Sequence, residues 1–192
     1  MHADSIQLSY GCNLMSEDKI SDCINKYSDS LRDVTLCYFV DKKASKVLLA
    51  MKKRGFGQGK LNGVGGKLQQ GETIEDAMIR ESVEEVGAKP KSYYKAATLC
   101  FYFGGSNPKS EFNQRVHVYI ADEWEGEISE SEEMKPEWFE ISSIPLDMMW
   151  DDDKYWLPHV LGGKFVDAHF LFGDSNKVID MKMSYGAAES EN

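Results

Sequence analysis

The chain has 192 residues, 42% of them hydrophobic and 28% charged, which suits one soluble domain with a sizeable core and short extensions. Thirty-two acidic against 22 basic residues leave a formal charge of −10, which argues against wrapping a nucleic-acid backbone but not against a free nucleotide held through divalent metal. Cys12, Cys23, Cys37 and Cys100 lack C-x-x-C spacing, no apolar run approaches a membrane span, and the N-terminus lacks a basic stretch followed by an apolar core. The expectation is a reduced, cytoplasmic monomer, with the nuclear or mitochondrial nucleotide pool as the alternative setting, whose partner is neither membrane nor nucleic-acid polymer.

Residues 1–30 read as an N-terminal extension, with Ile20, Cys23, Ile24, Tyr27 and Leu31 at the spacing of a short amphipathic helix after Ser16. Val34–Val40 reads as a buried strand, 41–46 as a turn and Val47–Met51 as a second strand. Lys52–Lys67 follows, with six glycines. It does not match G-x-x-x-x-G-K-[ST], because Leu61 and Leu68 follow its Gly-Lys pairs, so it reads as a connection whose backbone can approach a ligand closely.

Gly66–Ala88 contains a helix start at Thr73, with Asp76 three residues on, and a helix stop at Gly87. At about 100° per residue, Glu81, Glu84 and Glu85 share a narrow arc, with Ile79, Val83 and Val86 expected to bury on the other side. Two unit charges ~4 Å apart repel by about 4 kcal/mol at an effective dielectric of ~20. The three glutamates therefore either spread into water or surround a cation. Hard oxygen ligands fit Mg²⁺, with Mn²⁺ as a substitute. Further along, 96–103 and 115–121 read as strands around a turn-rich loop at 104–111, and 138–141 as another strand. Tyr155–Leu161 reads as a short helix, 168–172 with 178–183 as a closing hairpin, and 184–192 as a polar tail.

Gly66, Glu72, Arg80-Glu81, Glu84-Glu85 and Gly87 reproduce G-x5-E-x7-R-E-U-x-E-E-x-G-U almost completely, and this resembles the Nudix hydrolase box. Ser82 and Ala88 depart from its bulky aliphatic positions. MKKRGFGQGKLNGVGGK at 51–67, SEEMKPEWFE at 131–140 and MWDDDKYWLP at 149–158 extend the resemblance to the oxidised-purine nucleoside triphosphatase branch, over about 48–179. That resemblance implies an α/β/α sandwich with a mixed sheet over residues 31–183. It also implies Mg²⁺-dependent hydrolysis of triphosphates of the 8-oxo-dGTP and 2-hydroxy-dATP type to monophosphate and pyrophosphate.

By the same resemblance Gly65 (through its carbonyl), Glu81, Glu84, Glu85 and Glu133 hold metal. Asn62, Trp150, Asp152 and Asp153 contact the purine, and Thr35, Lys52, Phe56, Phe101 and Phe172 line the pocket. Gly66, Glu72, Arg80 and Gly87 fix the box geometry. Two carboxyls in an apolar pocket titrate as a pair, so Asp152 and Asp153 can hold one proton between them and read an oxidised base. Leu61, Val64 and Asp151 stand where the family commonly has two aromatics and a proline. Two other readings compete: a Nudix hydrolase for another pyrophosphate, such as an alkylated purine triphosphate, a dinucleoside polyphosphate or a nucleotide sugar, and a non-catalytic Nudix module. The latter would be expected to lack box carboxylates, all of which are present.

Overall fold

The structure, a computed structural model, describes residues 19–104 and 109–187. Alternation along the strands creates its layers. On β1 (Arg32–Asp41), Val34, Leu36, Tyr38 and Val40 bury into one core while Cys37 and Phe39 bury into another, because successive side chains point to opposite faces. Strand β1 pairs parallel with β5 (Gln114–Glu125). That strand is antiparallel to β4 (Lys89–Phe103), which runs parallel to β7 (Lys164–Phe172). The edge strand β8 (Val178–Ala187) closes the expected hairpin antiparallel to β7.

Strand β2 (Lys46–Lys52) leaves β1 after Val40↔Val47 and Asp41↔Lys46. It then runs antiparallel to both β3 (Leu61–Asn62) and β6 (Met134–Glu140). Together these make one mixed sheet of eight strands.

Helix α3 (Asp153–Leu161) places Trp156, Leu157 and Val160 on the face that carries Tyr38, Leu99 and Phe170. Helix α2 (Ile74–Val86) packs Met78 and Val86 on the opposite face with Cys37, Phe39 and Tyr119. Helix α1 (Lys19–Tyr27) covers that second face further along, where Ile20 meets Leu31, Cys100, Tyr102 and Leu171. The layers are thus helix, sheet, helix. Among the described residues no helix is long and apolar enough to cross a membrane.

Several expected boundaries shift. Leu61 and Asn62, expected inside a loop, form a short strand on β2. The strand expected at 138–141 begins at Met134, inside a stretch that reads as merely acidic. Strand β8 continues to Ala187, so the stretch expected as a tail from 184 begins inside a strand, and 188–192 lie outside the described residues, as do Cys12 and the rest of 1–18. On α2, Val83 is exposed rather than buried, and the inward stripe is Ala77, Met78, Ser82, Glu85 and Val86. Ser82 fits that stripe because its hydroxyl donates to the Met78 carbonyl at 2.8 Å, which satisfies a buried polar group within the helix.

Candidate active site

The box is built from local caps and one arginine. Thr73 Oγ1 accepts the Asp76 N–H at 3.1 Å, which opens α2. Gly87 closes it at φ 73°, its N–H donating to the Val83 carbonyl at 3.0 Å. Arg80 then ties helix to loop. Its Nε donates to Glu72 Oε1 at 2.6 Å, its Nη1 to Glu81 Oε1 at 2.8 Å and Glu84 Oε2 at 3.0 Å, and its Nη2 to the Lys67 carbonyl at 3.1 Å. A planar fork of donors makes such a junction, which a lysine cannot copy. Hydrogen bonding to Arg80 holds the Glu72 carboxyl below its ordinary value.

The glycine segment beside it runs against β1. Thr35 N–H donates to the Gly66 carbonyl at 2.8 Å, and Cys37 and Val64 exchange backbone hydrogen bonds. A β-carbon on Gly65 would lie 2.1 Å from the Thr35 carbonyl oxygen, so that position admits only glycine, and one on Gly66 would lie 2.6 Å from the Glu81 carboxyl and force that side chain aside. This close approach lets the Gly65 N–H donate to Glu85 Oε2 at 2.9 Å.

Glu85 is 4% exposed, deeper than a carboxylate on a polar arc would be. Burial pushes its carboxyl above the ordinary value, while the Gly65 N–H and the Lys52 ammonium draw it back. Lys52 Nζ lies 3.3 Å from both Glu85 Oε1 and Glu133 Oε2. Arg54 holds the other oxygen of Glu133 at 2.8 Å, and Arg54 with Lys52 depresses that carboxyl. Glu133, a surface residue by its place in the chain, is thus brought to Glu85 by the β2–β6 pairing. Among the described residues no three His, Cys, Asp or Glu side chains converge as a ready metal cage. Arg80 holds Glu81 and Glu84, and Lys52 holds Glu85 and Glu133.

Beside this charged end opens a cavity of about 270 Å³. Thr35, Lys52, Phe56, Asn62, Phe101 and Phe172 all line it, as do Gly65 and Gly66 of the loop. So do Trp150, Asp152 and Asp153; the four glutamates lie outside its lining. Asn62 Oδ1 accepts the Tyr38 hydroxyl at 3.0 Å and the Gly63 N–H at 2.9 Å, so the amide NH₂ is the group Asn62 offers a ligand. Phe56, 54% exposed, tilts against Trp150 with ring centroids 5.0 Å apart. Lys60 sits 5.6 Å from the Trp150 ring and donates to the Met149 carbonyl.

Asp152 and Asp153 are each 2% exposed. Asp152 Oδ2 accepts the Trp156 indole N–H at 2.9 Å, and Asp153 Oδ2 accepts the Trp150 backbone N–H at 2.8 Å. Each therefore keeps one oxygen for other use. Burial raises the carboxyl of both, and the neighbouring Asp152 charge raises Asp153 further. The pair therefore retains a proton where ordinary carboxylates have lost theirs.

Other residues at the cavity escape a sequence reading. Tyr38 shares a face of β1 with Leu36, so strand alternation could have found it. Phe103 and Trp156 also line the cavity, and nothing in the sequence singles them out for it. Phe112 stacks on Phe56 with centroids 5.3 Å apart, and nothing in its turn-rich surroundings marks it.

A glutamate-bearing helix strapped by arginine to a glycine loop, on a mixed sheet between helices, defines the Nudix class. The sequence model of the NUDIX domain matches residues 30–160, and the chain belongs to that family. It is 44% identical over 138 residues to the oxidized purine nucleoside triphosphate hydrolases of Mus musculus and Danio rerio, covering 72% of this chain and 86% of each relative. Among solved structures it resembles a mutator MutT protein from Bacillus halodurans, with a TM-score of 0.70 and 27% identity over 80% of this chain and 98% of that one.

Proposed function

We propose that the protein hydrolyses oxidised purine nucleoside triphosphates, of the 8-oxo-dGTP and 2-hydroxy-dATP type, to the monophosphate and pyrophosphate, and so clears mutagenic precursors from the nucleotide pool. One observation carries this reading: a buried carboxyl pair under an aromatic wall opens into the same cavity that Lys52 connects to Glu85 and Glu133. The first end suits a purine with an altered hydrogen-bonding edge, and the second suits a polyphosphate. The names of the mouse and fish relatives support the substrate class.

The donor set at the charged end fits a divalent ion, Mg²⁺ by preference and Mn²⁺ as a substitute. It offers hard oxygens only, and Glu85 is buried with a carboxyl that needs a counter-charge. Glu81, Glu84, Glu85, Glu133 and the Gly65 carbonyl would hold it. When bound, the metal would neutralise phosphate charge and lower the pKa of an attacking water. Glu72, Arg80, Gly66 and Gly87 keep helix and loop in register. Water attacks directly, so no covalent intermediate forms on the chain.

Within the cavity, Trp150 offers a stacking face for the purine and Asn62 donates to its edge. Asp152 and Asp153, sharing a proton, can both donate and accept. An 8-oxoguanine presents an N7–H donor that guanine lacks, and the ionised member can accept it. Moving the proton to the other member would suit an oxidised adenine. Phe56, Phe101 and Phe172 exclude water, and Thr35 braces the glycine loop. We further place the protein in the cytoplasm as a monomer, in keeping with its acidic surface and the free thiols of Cys23, Cys37 and Cys100.

Pyrophosphate release across a panel of 8-oxo-dGTP, 2-hydroxy-dATP, dGTP, a dinucleoside polyphosphate and a nucleotide sugar tests the assignment. The oxidised purines are expected to lead by at least ~10-fold, the scale set by one well-used polar contact in a buried site. A lead for any other member, or no release at all, would refute it.

A further inference from the structure

Asp151 lies outside the cavity lining, yet it joins two of the cavity's walls. Its side chain is 12% exposed, and Oδ1 accepts from both Lys154 Nζ and Lys177 Nζ at 2.9 Å. Oδ2 accepts the Val178 backbone N–H at 3.0 Å. On one side of Asp151 stands Trp150, and on the other Asp152 and Asp153, all three in the cavity lining. Val178 opens β8 directly after the turn that follows Phe172, another lining residue. That turn is itself fastened, the Gly173 N–H donating to the Lys177 carbonyl at 2.8 Å. Phe172 meets Trp150 edge to face at 6.5 Å between centroids.

We propose that Asp151 is a positioning residue for base recognition: its carboxylate clamps the Trp150–Asp153 turn to the Lys177–Val178 end of the β7–β8 hairpin and so fixes the width of the base pocket. This rests on reading the cavity as that pocket. The clamp is built from charge-assisted bonds, which are stronger and shorter than neutral ones. Burial works against the Asp151 charge, but Lys177, Lys154 and the Val178 N–H outweigh it and hold the carboxyl well below the usual carboxylate range. Its field also bears on Asp152, alongside Lys154 of the same helix, while Tyr38 of β1 faces both aspartates and Lys60 faces Asp153.

The clamp acts on binding geometry rather than on the reacting phosphate, so its loss separates KM from kcat. Asp151→Asn removes the charge behind both lysine pairs and leaves one amide oxygen where two carboxylate oxygens had served Lys154, Lys177 and the Val178 N–H. It is expected to raise KM for 8-oxo-dGTP about 10-fold and to narrow the preference over dGTP, with kcat within about threefold, the pattern left when binding shared by ground state and transition state is lost. Lys177→Met, at a side chain 68% exposed, removes one pair without threatening the fold and is expected to raise KM about twofold to threefold. In the double variant, KM is expected to match Asp151→Asn alone, because the two residues act through one contact.

An active wild type with unchanged KM and preference in Asp151→Asn overturns the clamp, as does a loss confined to kcat, or effects of Asp151 and Lys177 that simply multiply. A wild type inactive on every oxidised purine triphosphate overturns the pocket reading itself, and the clamp with it.

Discussion

Glu85→Gln is expected to lower turnover on 8-oxo-dGTP by at least ~10²-fold, the range associated with losing a charge-stabilising group in a water-poor site. Glutamine keeps the shape of the side chain, and its amide oxygen can still accept the Gly65 N–H that now reaches Glu85 at 2.9 Å. What it loses is the negative charge that faces Lys52. Glu85 is the only glutamate of the helix arc that is buried, at 4% exposure, so its charge is the least screened by water. Single-turnover kinetics with a parallel melting curve checks this: the rate falls while the melting temperature holds. Wild-type turnover in the variant would remove Glu85 from the mechanism.

Asp152→Asn and Asp153→Asn are each expected to change the ranking of 8-oxo-dGTP against 2-hydroxy-dATP by more than tenfold, and to change it differently. A site whose polar groups must match a base edge rejects the mismatched base by large factors, because a buried donor or acceptor is left unpaired. The two aspartates are equally buried but differently held, one by the Trp156 indole and the other by the Trp150 backbone. Fixing an amide at one position or the other therefore freezes different donor patterns. Equal rankings in both variants would defeat the shared-proton account.

Stability supplies an independent readout of the same pair. Carboxyls with raised folded-state pKa values, as burial and mutual repulsion produce here, bind protons more tightly in the folded protein. Their stabilising contribution is complete below the ordinary carboxylate range and is lost as pH climbs through the raised values. Either asparagine variant should flatten that part of the melting-temperature profile.

The parts of this molecule that the sequence displays are those whose signals are local. Thr73 and Gly87 bound the helix through bonds made within a few residues, and the 3.6-residue period puts Glu81, Glu84 and Glu85 together whatever the surrounding fold. Inward and outward directions on that helix were less legible. Glu85 carries a charge yet belongs to the buried stripe, because the glycine loop supplies an N–H and Lys52 a cation, and Val83 is left facing water. Both compensations come from other segments, so no pattern within α2 reveals them.

Long-range pairings were hidden for the same reason. Leu61 and Asn62 become a strand only because β2 lies beside them, and Glu133 meets Lys52 only because Met134 pairs with that residue in the β2–β6 register. The base-pocket residues Trp150, Asp152 and Asp153 were expected through family resemblance, since a run of aspartates beside an aromatic otherwise reads as a solvated turn. Asp151 stands out in the sequence only as a departure from the family's proline; its partners, Lys177 and Val178, lie 26 and 27 residues away.

The central claim is that the glutamates of the loop–helix unit are gathered there to hold divalent ions carrying a polyphosphate whose base rests on the aspartate pair. Anomalous diffraction from a crystal soaked with Mn²⁺ and a non-hydrolysable 8-oxo-dGTP analogue tests it most directly. The account predicts manganese peaks against Glu81, Glu85 and the Gly65 carbonyl, with the purine between Asn62, Trp150 and the Asp152–Asp153 carboxyls. Manganese bound elsewhere, with Glu81 and Glu85 turned to bulk solvent, would contradict it.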